Sequence, residues 1–115
     1  VFVSGSFPAV LAPTAERLGV RHILATTMQE SDGVYTGEIL PPQTIGKGKA
    51  DAVRIFLEKT GVKAADCYAY GDDISDRQML EEVGHPYAIS GGRDLEDYAR
   101  EKGWPVLHPF YAQAA

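Results

Sequence analysis

The chain has a single cysteine, Cys67, among its 115 residues. One thiol cannot close an internal disulfide, so packing alone has to hold the fold, and the pattern fits a reducing, cytoplasmic setting. Long apolar runs are also missing: none approaches the roughly 20 residues that span a bilayer. Basic residues are the minority, 11 Lys and Arg against 16 Asp and Glu, and they are not clustered. With a net charge of −5, an electrostatic grip on nucleic acid is not expected. The opening VFVSGSFP has no basic leader and no cleavage pattern, so no signal peptide is expected. It starts at Val1 inside a strand-like run and reads as a piece of something longer. What remains is ordinary for a globular protein: 44% hydrophobic and 23% charged residues. One domain, or part of one, is expected over residues 1–115.

Periodicity supplies the elements. Val1, Phe2 and Val3 form a short strand signal, closed by the turn residues Ser4, Gly5 and Ser6. Pro8 suits a first helical turn, and Val10, Leu11, Thr14, Ala15 and Leu18 recur at helical spacing before Gly19. HILATT, residues 22–27, predicts a second strand; residues 27–39 predict a hairpin turning at Asp32-Gly33. GKGKADAVRIFLEKTGV predicts a helix with Ala50, Val53, Phe56 and Leu57 on one face and Gly61 at its end. Further on, CYAYG, PYAIS and PVLH read as strands, SDRQMLEEVG and DLEDYAREKG as helices. Strands that alternate with helices make an α/β protein with a mainly parallel, doubly wound sheet. In such sheets ligands bind beyond the carboxyl ends of the strands.

Three polar clusters fall at that end. In YAYGDDISDRQML, residues 68–80, Asp72, Asp73 and Asp76 crowd together where a strand gives way to a helix. Neighbouring carboxylates repel unless something positive lies between them, and a hard cation such as Mg²⁺ is one solution. Helix capping by Asp73 or Ser75, with Asp76 complementing the dipole, is the other. In VSGSF, Ser4 Oγ and free main-chain amides could meet an anion, or form only a capped turn. In GKGKAD, Lys47 and Lys49 stand near a helix start, where the dipole disfavours a cation unless an anion is nearby. Neither G-x-S-x-G nor a Walker A loop is present. A hydroxyl with backbone donors, a lysine and an acid pair together make a phosphoryl site. His22, His85 and His108 show no pairing pattern and are read as structural.

With these clusters, the chain resembles the haloacid dehalogenase (HAD) superfamily in its phosphoserine-phosphatase-like branch, subfamily IB. The similarity runs from VFVSGSF to EKGWPVLH, including GHP at residues 84–86. Three motifs, the second to the fourth, fall in order on Ser4, Lys49 and Gly71-Asp72…Asp76. The resemblance implies a Rossmann-like core and a Mg²⁺-dependent phosphatase of small phosphorylated metabolites. Ser4, with the Gly5 amide, would hold the phosphoryl oxygens, with Ser75 nearby. Lys49 would neutralise phosphate and attacking carboxylate, while Lys47 matches the motif less well. Asp72 would bind the metal, and Asp76 would hold a metal-bound water or orient Lys49. Asp73 falls on a variable position.

The chain departs from the family at one point. The first motif, D-x-D-x-[TV], carries the aspartate that forms an aspartyl-phosphate, and no D-x-D occurs here. Nor is there a helical cap before VSGS. The first strand of such a core lies between those ending at Ser4 and Asp72, so its absence would leave two unpaired edges and an apolar gap. An N-terminal segment or a second chain is expected to fill it, and this piece alone is expected to be inactive and poorly stable. A catalytically degenerate domain serving as a binding or scaffold protein is the alternative; the retained Ser4, Lys49, Asp72 and Asp76 argue against it. A receiver-like domain would need an acidic pair after the first strand, which is absent.

Overall fold

In a computed structural model, which describes residues 1–109, strands and helices alternate. The order is β1 (Phe2–Ser4), α1 (Pro8–Leu18), β2 (Ile23–Ala25), β3 (Thr27–Ser31), β4 (Val34–Leu40), α2 (Lys47–Thr60) and β5 (Tyr68–Gly71). Then come α3 (Arg77–Glu81), β6 (His85–Ile89), α4 (Arg93–Lys102) and β7 (Val106–Leu107). Proline opens α1, and glycines in the left-handed region, Gly19, Gly61 and Gly103, end α1, α2 and α4. Two stretches are shorter than the sequence suggests. The expected helix over residues 75–84 is confined to Arg77–Glu81, because a tighter 3-10 turn at Ile74–Asp76 precedes it. The expected strand over residues 22–27 ends at Ala25, because the Thr26 amide turns out of the ladder to donate to the Ser6 carbonyl at 3.0 Å.

The parallel sheet is present in two pieces. β1 pairs with β2, Phe2 opposite Ile23, and β5, β6 and β7 pair in that order. β3 and β4 form the separate antiparallel hairpin expected around Asp32-Gly33. The core lies under the three-stranded piece, where Met79, Leu80, Ala88, Leu95 and Ala99 are buried and Val3, Val53 and Trp104 pack against them. On the opposite face of β5 and β6, Tyr68 stacks on His85 at 4.3 Å and Tyr70 on Tyr87 at 5.2 Å. Tyr68 and Tyr70 remain more than half exposed, at 59% and 55%. His22 tilts against Phe56 at 5.0 Å, so two of the three histidines are occupied by ring contacts.

Between β1 and β5 runs an apolar cleft of about 690 Å³. Phe2 and Val3 form one wall, Tyr68 to Tyr70 the other, and Val53, Phe56 and Met79 lie in its lining. This is the gap the sequence leads one to expect. Along the cleft, Phe2 and Val3 on one side and Tyr68 to Tyr70 on the other have no strand paired against them among the described residues. The isolated chain should therefore melt broadly. Amides of Phe2–Ser4 and Tyr68–Gly71 should exchange much faster than those around Leu80 and Leu95. Hydrogen exchange read residue by residue checks this; a sharp melt with both strands protected would contradict it.

Candidate active site

The three polar clusters meet because small residues let their loops approach. At Gly5 an added Cβ would lie 2.5 Å from Ile45 Cγ1, so the turn after β1 sits against the loop entering α2. At Gly48 a Cβ would lie 1.8 Å from the Gln43 carbonyl oxygen, so only glycine fits the first turn of α2. Buried Thr26 fastens the same loops: its Oγ1 accepts the Thr44 amide at 3.1 Å. Gly46 in turn faces Gln78 and Ser75. Nothing local in the sequence marks Thr26 or Thr44, since their part depends on a contact 18 residues apart.

At the centre is an ion pair. Lys49 Nζ donates to Asp76 Oδ1 at 2.6 Å, with the two side chains only 16% and 5% exposed. Asp76 Oδ2 accepts the amides of Asp72 and Asp73 at 3.3 and 3.4 Å. Gly71 makes room for this, since a Cβ there would lie 2.8 Å from Asp76 Cβ. The two lysines of GKGK separate cleanly. Lys47, 77% exposed, pairs with Asp51 one turn along α2, whereas Lys49 turns inward. Arg54 spans Asp51 on α2 and Glu82 just beyond α3, tying α2, which carries Lys49, to the end of the helix that follows Asp76. A charged pair 28 residues apart leaves no periodic trace in the sequence.

The other residues are placed as follows. Ser4 Oγ accepts the Ser6 amide at 3.0 Å, closing the turn after β1. Asp73 Oδ2 accepts the Ser75 amide and hydroxyl at 2.9 and 2.6 Å, so Asp73 caps the 3-10 turn. The Ser75 hydroxyl, followed by its amide, holds the Asp73 carboxyl below the ordinary carboxylate range. Asp72 is exposed, and its carboxylate has no hydrogen-bond or ion-pair partner among the described residues. No group of three or more His, Cys, Asp and Glu side chains assembles among the described residues. Mg²⁺ commonly keeps several waters and takes only one or two protein carboxylates plus substrate phosphate. The exposed Asp72 carboxylate is one oxygen donor of the kind such an ion uses.

Comparison with known proteins follows the same lines. The family model described as haloacid dehalogenase-like hydrolase matches residues 1–81. A probable phosphatase of Mycobacterium tuberculosis is 43% identical over 107 residues, covering 93% of this chain and 37% of its own. A phosphoserine phosphatase of the same organism is 37% identical, covering 92% of this chain and 35% of its own. A crystal structure of a Bordetella pertussis protein of unknown function superposes with a TM-score of 0.82 at 33% identity, over 91% of this chain and 48% of that one. The chain thus spans little more than a third of the length of these two curated relatives.

Two outcomes follow from the local geometry. Lys49→Met should lower stability by about 3 kcal/mol, because it leaves the Asp76 carboxylate buried without its partner; urea unfolding measures it. Ser75→Ala should raise the Asp73 pKa toward the ordinary carboxylate value, read by NMR titration. The depressed pKa makes the cap stabilising above the ordinary carboxylate range, and that contribution is lost as pH falls through the lowered pKa.

Proposed function

Because the chain belongs to the haloacid dehalogenase-like hydrolase family, we propose that it supplies the phosphate-binding and metal-binding side of a phosphomonoester hydrolase in a longer protein. The substrates are small phosphorylated metabolites, in a cytoplasmic setting that suits the lone Cys67. The observation that carries this reading is Lys49, a largely shielded cation at the start of α2, paired with Asp76 at 2.6 Å. A lysine kept there against the helix dipole suits an anionic substrate.

Each side chain has a part. The Ser4 hydroxyl and the Gly5 amide hydrogen-bond phosphoryl oxygens at the end of β1. Lys49 neutralises phosphate charge, and Asp76 orients Lys49 through their contact. Asp76 also fixes the turn from which Asp72 projects, since it accepts the Asp72 amide. Asp72 would hold Mg²⁺ directly, with Asp76 behind it or on a bound water. When bound, Mg²⁺ supplies charge neutralisation at the phosphate. Ser75 reaches a phosphate only by releasing its hydroxyl from Asp73, so its primary part is the cap.

The attacking carboxylate is not among these residues, because no D-x-D occurs in the sequence. We place it in the longer protein, where an aspartyl-phosphate would divide hydrolysis into two easier steps. The 115-residue piece is then inactive alone. Phosphoserine, which names the activity of the 37%-identical relative, is the first substrate to try. In the longer protein, phosphate release from phosphoserine and p-nitrophenyl phosphate should stop with EDTA and return with Mg²⁺. Lys49→Ala and Asp72→Asn should each lower kcat at least about 100-fold. Full activity in both variants would refute the assignment.

A further inference from the structure

Two stretches of the chain, GHP at residues 84–86 and GWPVLH at residues 103–108, have no part in the phosphate site. They meet where β6 and β7 begin. The Ala88 amide donates to the Pro105 carbonyl at 3.0 Å, and the Ser90 amide to the Leu107 carbonyl at 2.7 Å. Main-chain groups alternate from edge to edge along a strand, so Pro86, two residues before Ala88, also turns its carbonyl toward β7. In this parallel register, with Ala88 opposite Val106, the donor for the Pro86 carbonyl would be the amide of residue 105. That residue is proline and has no N–H. The ladder therefore starts with an acceptor that β7 cannot satisfy.

A cavity of about 340 Å³ opens at this point. It lies at the amino ends of β6 and β7, whereas Asp72 stands beyond the carboxyl end of the parallel β5. Leu80, Glu81, Pro86, Tyr87, Trp104 and Pro105 are in its lining. Glu81 accepts the Tyr98 hydroxyl on Oε1, and its Oε2 has no partner among the described residues. Tyr98 packs T-shaped against Trp104, with ring centroids 5.5 Å apart, so one phenol links the acid to the indole. Among the described residues no Lys or Arg lines the cavity; Lys102 lies instead over the Tyr98 ring, at 5.5 Å. The cavity thus offers a carboxylate oxygen, a main-chain carbonyl and aromatic surface, and no fixed cation.

We propose that this cavity binds a small primary ammonium ion with an apolar body. The ammonium donates to the Pro86 carbonyl and to Glu81 Oε2, the second bond strengthened by charge on both partners. The Trp104 ring favours a cation as well. The apolar body lies against Leu80, Tyr87 and the two proline rings. Glu81 repels an anion, and a neutral apolar ligand would leave both oxygen acceptors desolvated and unpaired. The inference rests on this cavity alone and stands whether or not the phosphatase reading holds.

Trp104 is the single tryptophan of the chain, and its indole N–H resonance reports on the cavity directly. The longer protein is titrated with n-butylammonium and followed at that resonance, which Trp104→Phe assigns. The resonance should shift saturably in the millimolar range. Two comparators, n-butyltrimethylammonium with the charge but no N–H and n-butanol with no charge, should bind at least about tenfold more weakly. Glu81→Gln and Pro105→Ala should each weaken n-butylammonium at least about tenfold, the second because its new amide takes the Pro86 carbonyl. Pro105→Ala should melt no lower than the parent, which separates a lost acceptor from a damaged fold. Absence of a saturable shift overturns the proposal. So does n-butyltrimethylammonium binding as tightly as n-butylammonium, since charge and ring contact alone would then suffice. Undiminished binding in Pro105→Ala would remove the Pro86 carbonyl from the site and likewise overturn it.

Discussion

Lys49 and Asp76 form the contact on which the site depends. Both side chains are largely withdrawn from water, and neither could be buried alone without a cost of several kcal/mol. The pair is sustained because Asp76 spends its second oxygen on the amides of Asp72 and Asp73. One carboxylate therefore fixes the lysine of α2 and the loop after β5 at the same time. The Arg54 bridge from Asp51 to Glu82 repeats that connection farther along the helices. Because it is exposed, it adds little by itself.

Glycine is the second constraint. Gly5, Gly48 and Gly71 stand where a Cβ would fall within 3 Å of a neighbour. Each removes bulk at a point where two segments meet: the turn after β1 with Ile45, α2 with Gln43, and β5 with Asp76. The result is a set of loops held close by steric fit, with the Thr44 amide donating to Thr26 Oγ1. The geometry at the carboxyl ends of β1 and β5 thus depends on residues with no ionisable side chain.

Much of this was legible in the sequence, for a physical reason. Period and punctuation gave the alternating elements, since Pro8, Gly19, Gly61 and Gly103 mark helix ends locally. The clusters around Ser4, Lys49 and Asp72 were visible as polar residues at strand ends. Lys47 and Lys49 could not be told apart by composition; helical geometry separates them, sending one to Asp51 and the other to Asp76. Likewise, the three acids diverge only in space: Asp73 caps, Asp76 pairs and Asp72 stays open. Thr26, Thr44 and the Arg54–Glu82 bridge were not legible, because they join segments far apart in sequence. The parallel sheet stands in two pieces, β1–β2 and β5–β6–β7, with the cleft beside Val3 and Tyr70 between them.

The central claim is that the ends of β1, α2 and β5 enclose one phosphate. A crystal structure of the longer protein soaked with Mn²⁺ and tungstate, read by anomalous scattering, tests it most directly. The account predicts tungstate within hydrogen-bond reach of Ser4 Oγ and Lys49 Nζ, and Mn²⁺ on the Asp72 carboxylate. Tungstate bound elsewhere, or Mn²⁺ absent from Asp72 with the oxyanion in place, would contradict it.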